Sequence, residues 1–600
     1  MHGRTYPPAQ KAALEALWVD ANSLQMARYS DDKTGEIRLV MADRLTRREV
    51  LKAGAGLWLP LLASRIEFAT PTPPKIDPIQ FRDVAASSGV NFTVQNHPTP
   101  EKHLIETMPG GVAVFDYNSD GLPDIFFTNG ASLPSMKKDD PKYFNRLYRN
   151  DGGMKFTDVT KQAGLEGAGY SMGAAAADYD NDGHTDLFVA GVFHNILYRN
   201  RGDGTFEDVT EHAGIKSDKW AVGGGWFDYD NDGWLDLFVV NYSKFSLEHS
   251  RFCGDRARNL RTYCHPKYFE GLTCTLYRNR HDGTFEDATV QAGFGKHVGR
   301  GMAVGFADYD NDGHIDLYVT NDNMPNFLYH NLGNGTFEEV GLFAGAALLN
   351  NGEPVSNMGV DFRDYNNDGL PDIFVTDLSN ETYPLFRNMG QGMFEDATYS
   401  SGLSVLSARR SGWSLGVFDF NNDGLKDLFT ANSHVDNNVE LFEATTYKQP
   451  NSIFANLGNG TFADLSRDAG KDFQVPQAHR GAAFADLNKD GRIDVVTSSL
   501  EGPAEIWQNI SPGDNHWLVL NLVGHKSNRD GIGARVRIGR QHNSMTSAVG
   551  YASSSHFGVH FGLGKTAVVD EVEIRWPSGI VQHLKGVKAN QFLKVDEPSG

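Results

Sequence analysis

The feature that most constrains this chain is a nine-residue acidic motif that returns seven times. It reads DYNSDGLPD from Asp116, DYDNDGHTD from Asp178, DYDNDGWLD from Asp228, DYDNDGHID from Asp308, DYNNDGLPD from Asp364, DFNNDGLKD from Asp419 and DLNKDGRID from Asp486. Each copy follows a Gly/Ala-rich apolar segment such as SMGAAAA or AVGGGWF, and each precedes a β-forming run such as LFVA or IFVT. A second motif recurs between copies, as LYRNDGGMKFTDVT from Leu147, LYRNRGDGTFEDVT from Leu197 and LYRNRHDGTFEDAT from Leu276, with weaker versions from Leu328, Leu385 and Ile453. The unit is therefore strand, acidic loop, strand, hairpin, strand, repeated every 50–80 residues. Periodicity of this kind marks a repeat architecture, and four short strands per unit is the size of a propeller blade. A β-solenoid has shorter repeats and lacks this two-hairpin grammar.

The pattern predicts an all-β fold with a seven-bladed β-propeller over residues 81–510. The last copy ends at EIWQN (505–509) with no FxDVT strand after it, and that strand stands instead before the first copy, as FRDVAASSGV from Phe81. Phe81–Val84 is thus expected to complete the seventh blade, joining the two ends and removing open sheet edges that would template aggregation.

Positions 1, 3, 5 and 9 of each loop carry side-chain oxygens, and position 6 is always glycine. The candidate metal ligands are Asp116, Asn118, Asp120 and Asp124; Asp178, Asp180, Asp182 and Asp186; Asp228, Asp230, Asp232 and Asp236; Asp308, Asp310, Asp312 and Asp316; Asp364, Asn366, Asp368 and Asp372; Asp419, Asn421, Asp423 and Asp427; and Asp486, Asn488, Asp490 and Asp494. A hard cation such as Ca²⁺ takes six to eight oxygens, the carbonyl of position 7 adds one more, and glycine lets the backbone turn tightly around an ion. An EF-hand is excluded, because position 12 (Val189 in the second copy) lies in a strand where a glutamate and a helix would be needed. Aspartate, asparagine and glycine are also the residues of simple Asx turns. Seven copies in register favour the cation, so up to seven calcium ions are expected. They would offset fourteen units of a net charge of −21.

These residues resemble the FG-GAP/VCBS repeats of integrin-type β-propellers. Residues 515–596 resemble the ASPIC/UnbV domain through SNRDGIGARVRI (527–538), HFGLG (560–564) and VEIRWPSG (572–579). Together the two resemble bacterial relatives of cartilage acidic protein. The resemblance implies a secreted, calcium-binding propeller with adhesion-like binding; UnbV-type proteins also occur with natural-product biosynthesis genes, so it leaves catalysis open. Read on its own, 511–600 is a small β domain: HWLVLNLVG, GARVRIGR, HFGVHFGLG, VDEVEIRWPSG and QFLKVDE alternate or run apolar between Gly, Asn and Ser turns. A β-sandwich-like domain docked on the propeller is expected.

The start of the chain reads as an address. TRREVLK (46–52) followed by AGAGLWLPLLA (53–63) is similar to a bacterial twin-arginine signal, and a short amphipathic helix is the plainer alternative. Met41 is the simplest start, leaving 1–40 a non-native extension or disordered leader, 41–69 the signal region with cleavage after Ala63 or Ala69, and 70–80 a proline-rich linker. The expected location is periplasmic or secreted, with no transmembrane segment in the mature chain. The net charge of −21 argues against a nucleic-acid partner.

Two regions are candidates for ligand binding. The third and fourth acidic loops are separated by the longest spacing, and the excess holds FCGDRARNLRTYCHPKYFEGLTC; Cys253 and Cys264 are a disulfide candidate there once exported. Residues just ahead of the inner strands should line one mouth of the central channel: His103, Glu106, Tyr170, Trp220, Arg300, Arg409, Arg410, His479 and Arg480. Converging arginines and histidines suit an anionic ligand; salt bridges between blades are the alternative use. No catalytic residues stand out. The favoured partner is an extracellular protein or polysaccharide, the alternative a periplasmic enzyme acting on an anionic small molecule or sugar in the channel, and a third reading a purely structural envelope protein.

Overall fold

The computed structural model describes residues 76–248 and 251–599. The leader, the twin-arginine region and most of the proline-rich linker lie outside the described residues. Among the described residues, seven sheets built on four antiparallel strands carry one acidic loop each, the first of them joined by a fifth, parallel strand, Ser554–Ser555. In the second sheet, for example, Tyr170–Ala177, Asp186–Val192, Ile196–Asn200 and Phe206–Asp208 pair in chain order, with the acidic loop joining the first two. The first strands of successive sheets (Val112–Phe115, Tyr170–Ala177, Ala221–Phe227, Gly301–Ala307, Val360–Arg363, Gly412–Phe418 and Ala478–Ala485) touch in order, and the last touches the first. This is a β-propeller. Its ends meet as expected: Phe81–Asp83 pairs with Glu505–Asn509, Phe81 opposite Asn509.

The inner strands are buried on both faces, which explains their unbroken apolar runs. Aromatic side chains fill the wedges between sheets, as where Phe227 stacks on Phe306 at 4.7 Å. A one-turn helix follows the outer strand in several copies, stopped by a glycine in the left-handed region, such as Gly164 and Gly214, both at φ +77°. That position explains the recurring AG after the FxDVT strand.

The C-terminal domain is a sandwich of two sheets. One pairs Val559–Gly564, His516–Val523 and Gln591–Asp596; the other pairs Gln541–Ser544, Arg535–Ile538, Val568–Arg575 and Val581–Lys588. Its apolar core is continuous with that of the second and third sheets, through Tyr179, Trp226 and Leu235. Between its sheets the chain makes an excursion that the sequence reading does not anticipate: residues 545–556 run up the centre of the ring. Ser554–Ser555 pairs in parallel with Val112–Phe115, the Ala552 carbonyl accepts from Ala174 N, and Gly550 exchanges backbone hydrogen bonds with Val360. Tyr551 is fully buried, its ring edge-on to Trp413 and its hydroxyl donating to the Met108 carbonyl at 2.8 Å. The residue five ahead of each first loop aspartate is Gly111, Gly173, Gly223, Ala303, Gly359, Ser414 or Gly481. A collar of small residues thus surrounds the segment. Crowding of inner strands alone does not account for it.

Candidate metal loops and the ring centre

All seven acidic loops close on one hydrogen-bond pattern. The first aspartate accepts from the backbone N–H of position 5 at 3.0–3.3 Å and from the glycine of position 6 at 2.6–3.2 Å. The aspartate at position 9 is at most 2% exposed in every copy. One of its oxygens accepts from the N–H of position 2, the other from the N–H of the asparagine that ends LYRN or its equivalent. That asparagine is the functional residue the sequence reading passes over. In each copy its Nδ2 donates to the position-8 carbonyl of its own loop and to the position-2 carbonyl of the preceding sheet's loop, at 2.8–3.1 Å: Asn200 reaches Tyr117, Asn279 reaches Tyr179, and Asn150 reaches back to Leu487 to complete the circle. The asparagine at position 4 sits at positive φ, as Asn181 does at +58°, and its amide donates to the glycine carbonyl of the next loop in four copies.

The loops are also short of positive charge. Burial pushes the carboxyls of Asp124 and Asp178 up to about 8 and those of Asp228 and Asp486 up to about 7; Asp186, Asp236, Asp372, Asp427 and Asp494 are raised by the same cause. Three carboxylates bring ligand oxygens within 4.8 Å of one another at Asp178, Asp180 and Asp186, at Asp228, Asp230 and Asp236, and at Asp308, Asp310 and Asp312; Asp310 and Asp316 also gather with His330. In the other copies position 3 is asparagine. Buried Asp230 Oδ1 has no hydrogen-bond partner among the described residues. Clustered oxygens, an orphaned one among them, are the donor set of a hard cation, so the residues fit a metal ion. Protein cations share some of these loops. Arg199 pairs with Asp180 at 2.6 Å and Asp182 at 3.1 Å, Arg278 with Asp230 at 2.8 Å, and Arg535 with Asp308 at 2.9 Å.

The loop face is where the C-terminal domain docks. Asp530 accepts from Asp178 N, Asn181 Oδ1 accepts from Arg529 N, His560 contacts the Gly491 carbonyl, and Trp517 lies so close over Gly491 that a Cβ there would sit 1.9 Å from its ring.

The proposed channel residues are spread over several environments. Glu106, Tyr170, Trp220 and Arg480 are buried around the Tyr551 end of the central segment. Glu106 accepts from Thr99 Oγ1, His103 N and Tyr263 Oη; Tyr170 donates to the Asn96 carbonyl; the Arg480 guanidinium lies 4.0 Å over Trp413 and donates to the carbonyls of Thr107 and His479. His479 bridges the Asn432 carbonyl and Glu505 at 2.9 Å each. Arg300 donates to the Phe269 carbonyl, Arg410 pairs with Asp464 at 2.8 Å, Arg409 is exposed, and His103 is half-buried against Phe245. Among the described residues most of their polar atoms bond to the protein itself, and the buried Arg480 Nη2 has no hydrogen-bond partner.

The insertion after the third acidic loop crosses this end of the ring. Cys253 and Cys264 are disulfide-bonded, clamping a hairpin of Cys253–Asp255 and Leu260–Thr262. Beyond it, Tyr263 is buried: its N–H donates to Asp436 Oδ1 at 2.8 Å and its hydroxyl to Glu106 Oε2 at 3.1 Å, residues of distant sheets. Among the described residues, no helix is long and apolar enough to cross a membrane.

The FG-GAP-like repeat family matches residues 116–189, 190–239, 272–319, 308–375, 364–430 and 436–497, and the ASPIC and UnbV family matches 524–600. The chain is 26% identical to cartilage acidic protein 1 of Homo sapiens over 327 residues, 52% of this chain and 46% of that protein, and 27% identical to the Xenopus tropicalis protein over 311 residues, 49% and 44% respectively. It spans about half the length of the curated relatives it matches. A solved Agrocybe aegerita lectin that recognises terminal N-acetylglucosamine aligns at a TM-score of 0.36 and 16% identity, covering 66% of this chain and 87% of that one, a likeness too weak to carry an argument.

Proposed function

The chain belongs to the FG-GAP-like repeat family, and on that premise we propose that it is an exported, calcium-loaded β-propeller that binds an extracellular protein or polysaccharide. The observation that carries the calcium reading is the convergence of Asp228, Asp230 and Asp236 with a buried Asp230 oxygen that no described residue satisfies. In each loop the side-chain oxygens of positions 1, 3 and 9, with asparagine at position 3 in four copies, would hold the ion, while the N–H groups of positions 2, 5 and 6 keep the aspartates aimed inward. Bound calcium supplies positive charge to buried carboxylates and so stiffens the ring. Export is supported by the paired arginines Arg47 and Arg48 ahead of a short apolar run. The enzyme reading asks for a reaction space in the channel, and Tyr551 with its neighbours fills that space. Binding at an outer surface of the rigid ring is the reading that keeps its room.

Thermal melting with chelator and with calcium tests the proposal. A ligand that binds only the folded protein stabilises it by about 2.7 kcal/mol per site at a hundredfold excess over Kd, so the melting temperature should rise with calcium. Asp230→Asn should remove part of that rise. An unchanged melting temperature with and without calcium would refute the metal assignment.

A further inference from the structure

We infer that the disulfide-clamped hairpin across the ring end is a receptor surface for an anionic polysaccharide, one carrying repeated carboxylate or sulfate groups. The inference rests on the ligand-binding reading above and names its partner. In a chain of net charge −21, residues 251–268 carry five cations, Arg251, Arg256, Arg258, Arg261 and Lys267, against one acid, Asp255. The local sign is thus opposite to that of the protein. Of Arg251, Arg256, Arg258 and Lys267, only Arg258 forms an ion pair among the described residues, with Asp255 at 3.5 Å. Arg251, Arg256 and Arg258 are all exposed.

Their placement is fixed. The Arg251 guanidinium lies 3.9 Å from the centroid of the Tyr268 ring, and that of Arg256 lies 4.4 Å from the centroid of Phe252. A guanidinium held on an aromatic ring keeps its N–H fork free in the plane of the group, the geometry that takes a carboxylate or sulfate in two parallel hydrogen bonds. The Cys253–Cys264 bond clamps the hairpin, and buried Tyr263 ties its base to Asp436 and Glu106, so little of the binding free energy goes into ordering the arm.

The same surface fits a protein partner poorly. Protein interfaces close around an apolar or aromatic core, and Tyr268, already covered by Arg251, is the one large exposed apolar side chain between residues 251 and 272. A polymer that repeats one anionic group along its length needs only cations at intervals, which this hairpin offers.

The test is a titration of the full chain, loaded with calcium, against polygalacturonate, heparin, a neutral dextran and a DNA oligonucleotide of matched charge, at two salt concentrations. The wild type should bind polygalacturonate or heparin, more weakly at high salt, and bind dextran and DNA less tightly. R256A/R258A should weaken polyanion binding about tenfold or more and leave the melting temperature unchanged, since both side chains are exposed. Unaltered polyanion affinity in the double variant would overturn the inference, as would DNA bound as tightly as the uronate polymer, which would show charge attraction alone. Dextran binding without polyanion binding would overturn it too, yet leave the broader ligand-binding reading standing. Failure of every polysaccharide would count against both.

Discussion

Gly111→Ala and Gly223→Ala place the same methyl group at the same repeat position and should give opposite results. At Gly111 the new Cβ would lie 2.2 Å from the Ala552 carbonyl oxygen, 2.7 Å from Gly173 Cα and 2.8 Å from the Met172 carbonyl oxygen. All three are backbone atoms, so none can rotate aside. Ordinary contact requires the Ala552 carbonyl to move by about an ångström, and that carbonyl is also the acceptor for Ala174 N at 3.1 Å. Overpacking of a tight core costs ~1–3 kcal/mol, and three rigid contacts put Gly111→Ala at the upper end, less ~0.4–1 kcal/mol recovered because alanine narrows the unfolded ensemble. At Gly223 the nearest atom is Ala552 Cα at 3.4 Å, an ordinary contact. There the unfolded-state gain stands alone, and the variant should match or slightly exceed the wild type. The two should differ by ~2–3 kcal/mol. Urea unfolding followed by tryptophan fluorescence, at fixed calcium, reads the difference as a shift in midpoint. Equal midpoints for the two variants would refute the placement of residues 545–556 in the ring centre.

Asn279→Ala removes the amide that donates to the Tyr179 and Leu235 carbonyls, both at 2.9 Å, and strands two buried acceptors; a loss of ~2–4 kcal/mol is expected in the same unfolding assay, and Asn279→Asp should not rescue it, since a carboxylate cannot donate. The raised carboxyls also fix a pH dependence. Asp124 and Asp178 titrate near 8 and Asp228 and Asp486 near 7 when folded, against about 3.9 unfolded. Between those values the folded state holds more protons than the unfolded one, so metal-free protein should lose stability as pH rises from about 4 to 8. Calcium should flatten that slope, and melts at pH 5 and pH 8 with chelator and with calcium should show a larger calcium increment at pH 8.

The period, the loop positions and the closing strand were legible because each is carried by residues a few positions apart that repeat in register. The asparagine latch was legible too: Asn150, Asn200 and Asn279 stand in every quoted copy of the second motif. Reading that motif as strand alone hid a side chain whose partners lie in two loops, one of them about a hundred residues away. The central segment was not legible. SAVGYASSS has no period, and its partners are small residues from Gly111 to Gly481, each with a sufficient local explanation as an inner-strand residue. The channel arginines were legible only as positions. Sequence placed them near one another but could not show that Arg480 lies over Trp413 and donates to the Thr107 carbonyl, or that Arg410 pairs with Asp464.

Seven copies of one motif do not make seven equal sites, because the loop face is at once metal candidate, latch between sheets and dock for the second domain. Asp308 shares its carboxylate with Arg535 of the C-terminal domain, and Asp310 faces His330. The fourth loop can therefore gain an ion only in exchange for charge the protein already supplies. The third loop keeps Arg278 on one oxygen of Asp230 and leaves the other without a partner among the described residues, so that oxygen is open to an ion. At the second loop Asp530 accepts from the Asp178 backbone and raises that carboxyl further, while His556 pairs with Asp530 at 3.0 Å, so docking brings charge of both signs there. Cation affinity and domain docking are thus linked where the domain's charges reach a loop, and at the fourth loop docking opposes metal. By reciprocity, metal at each loop shifts docking by the same free energy. Position in the ring, more than the nine letters of the motif, sets what each loop does.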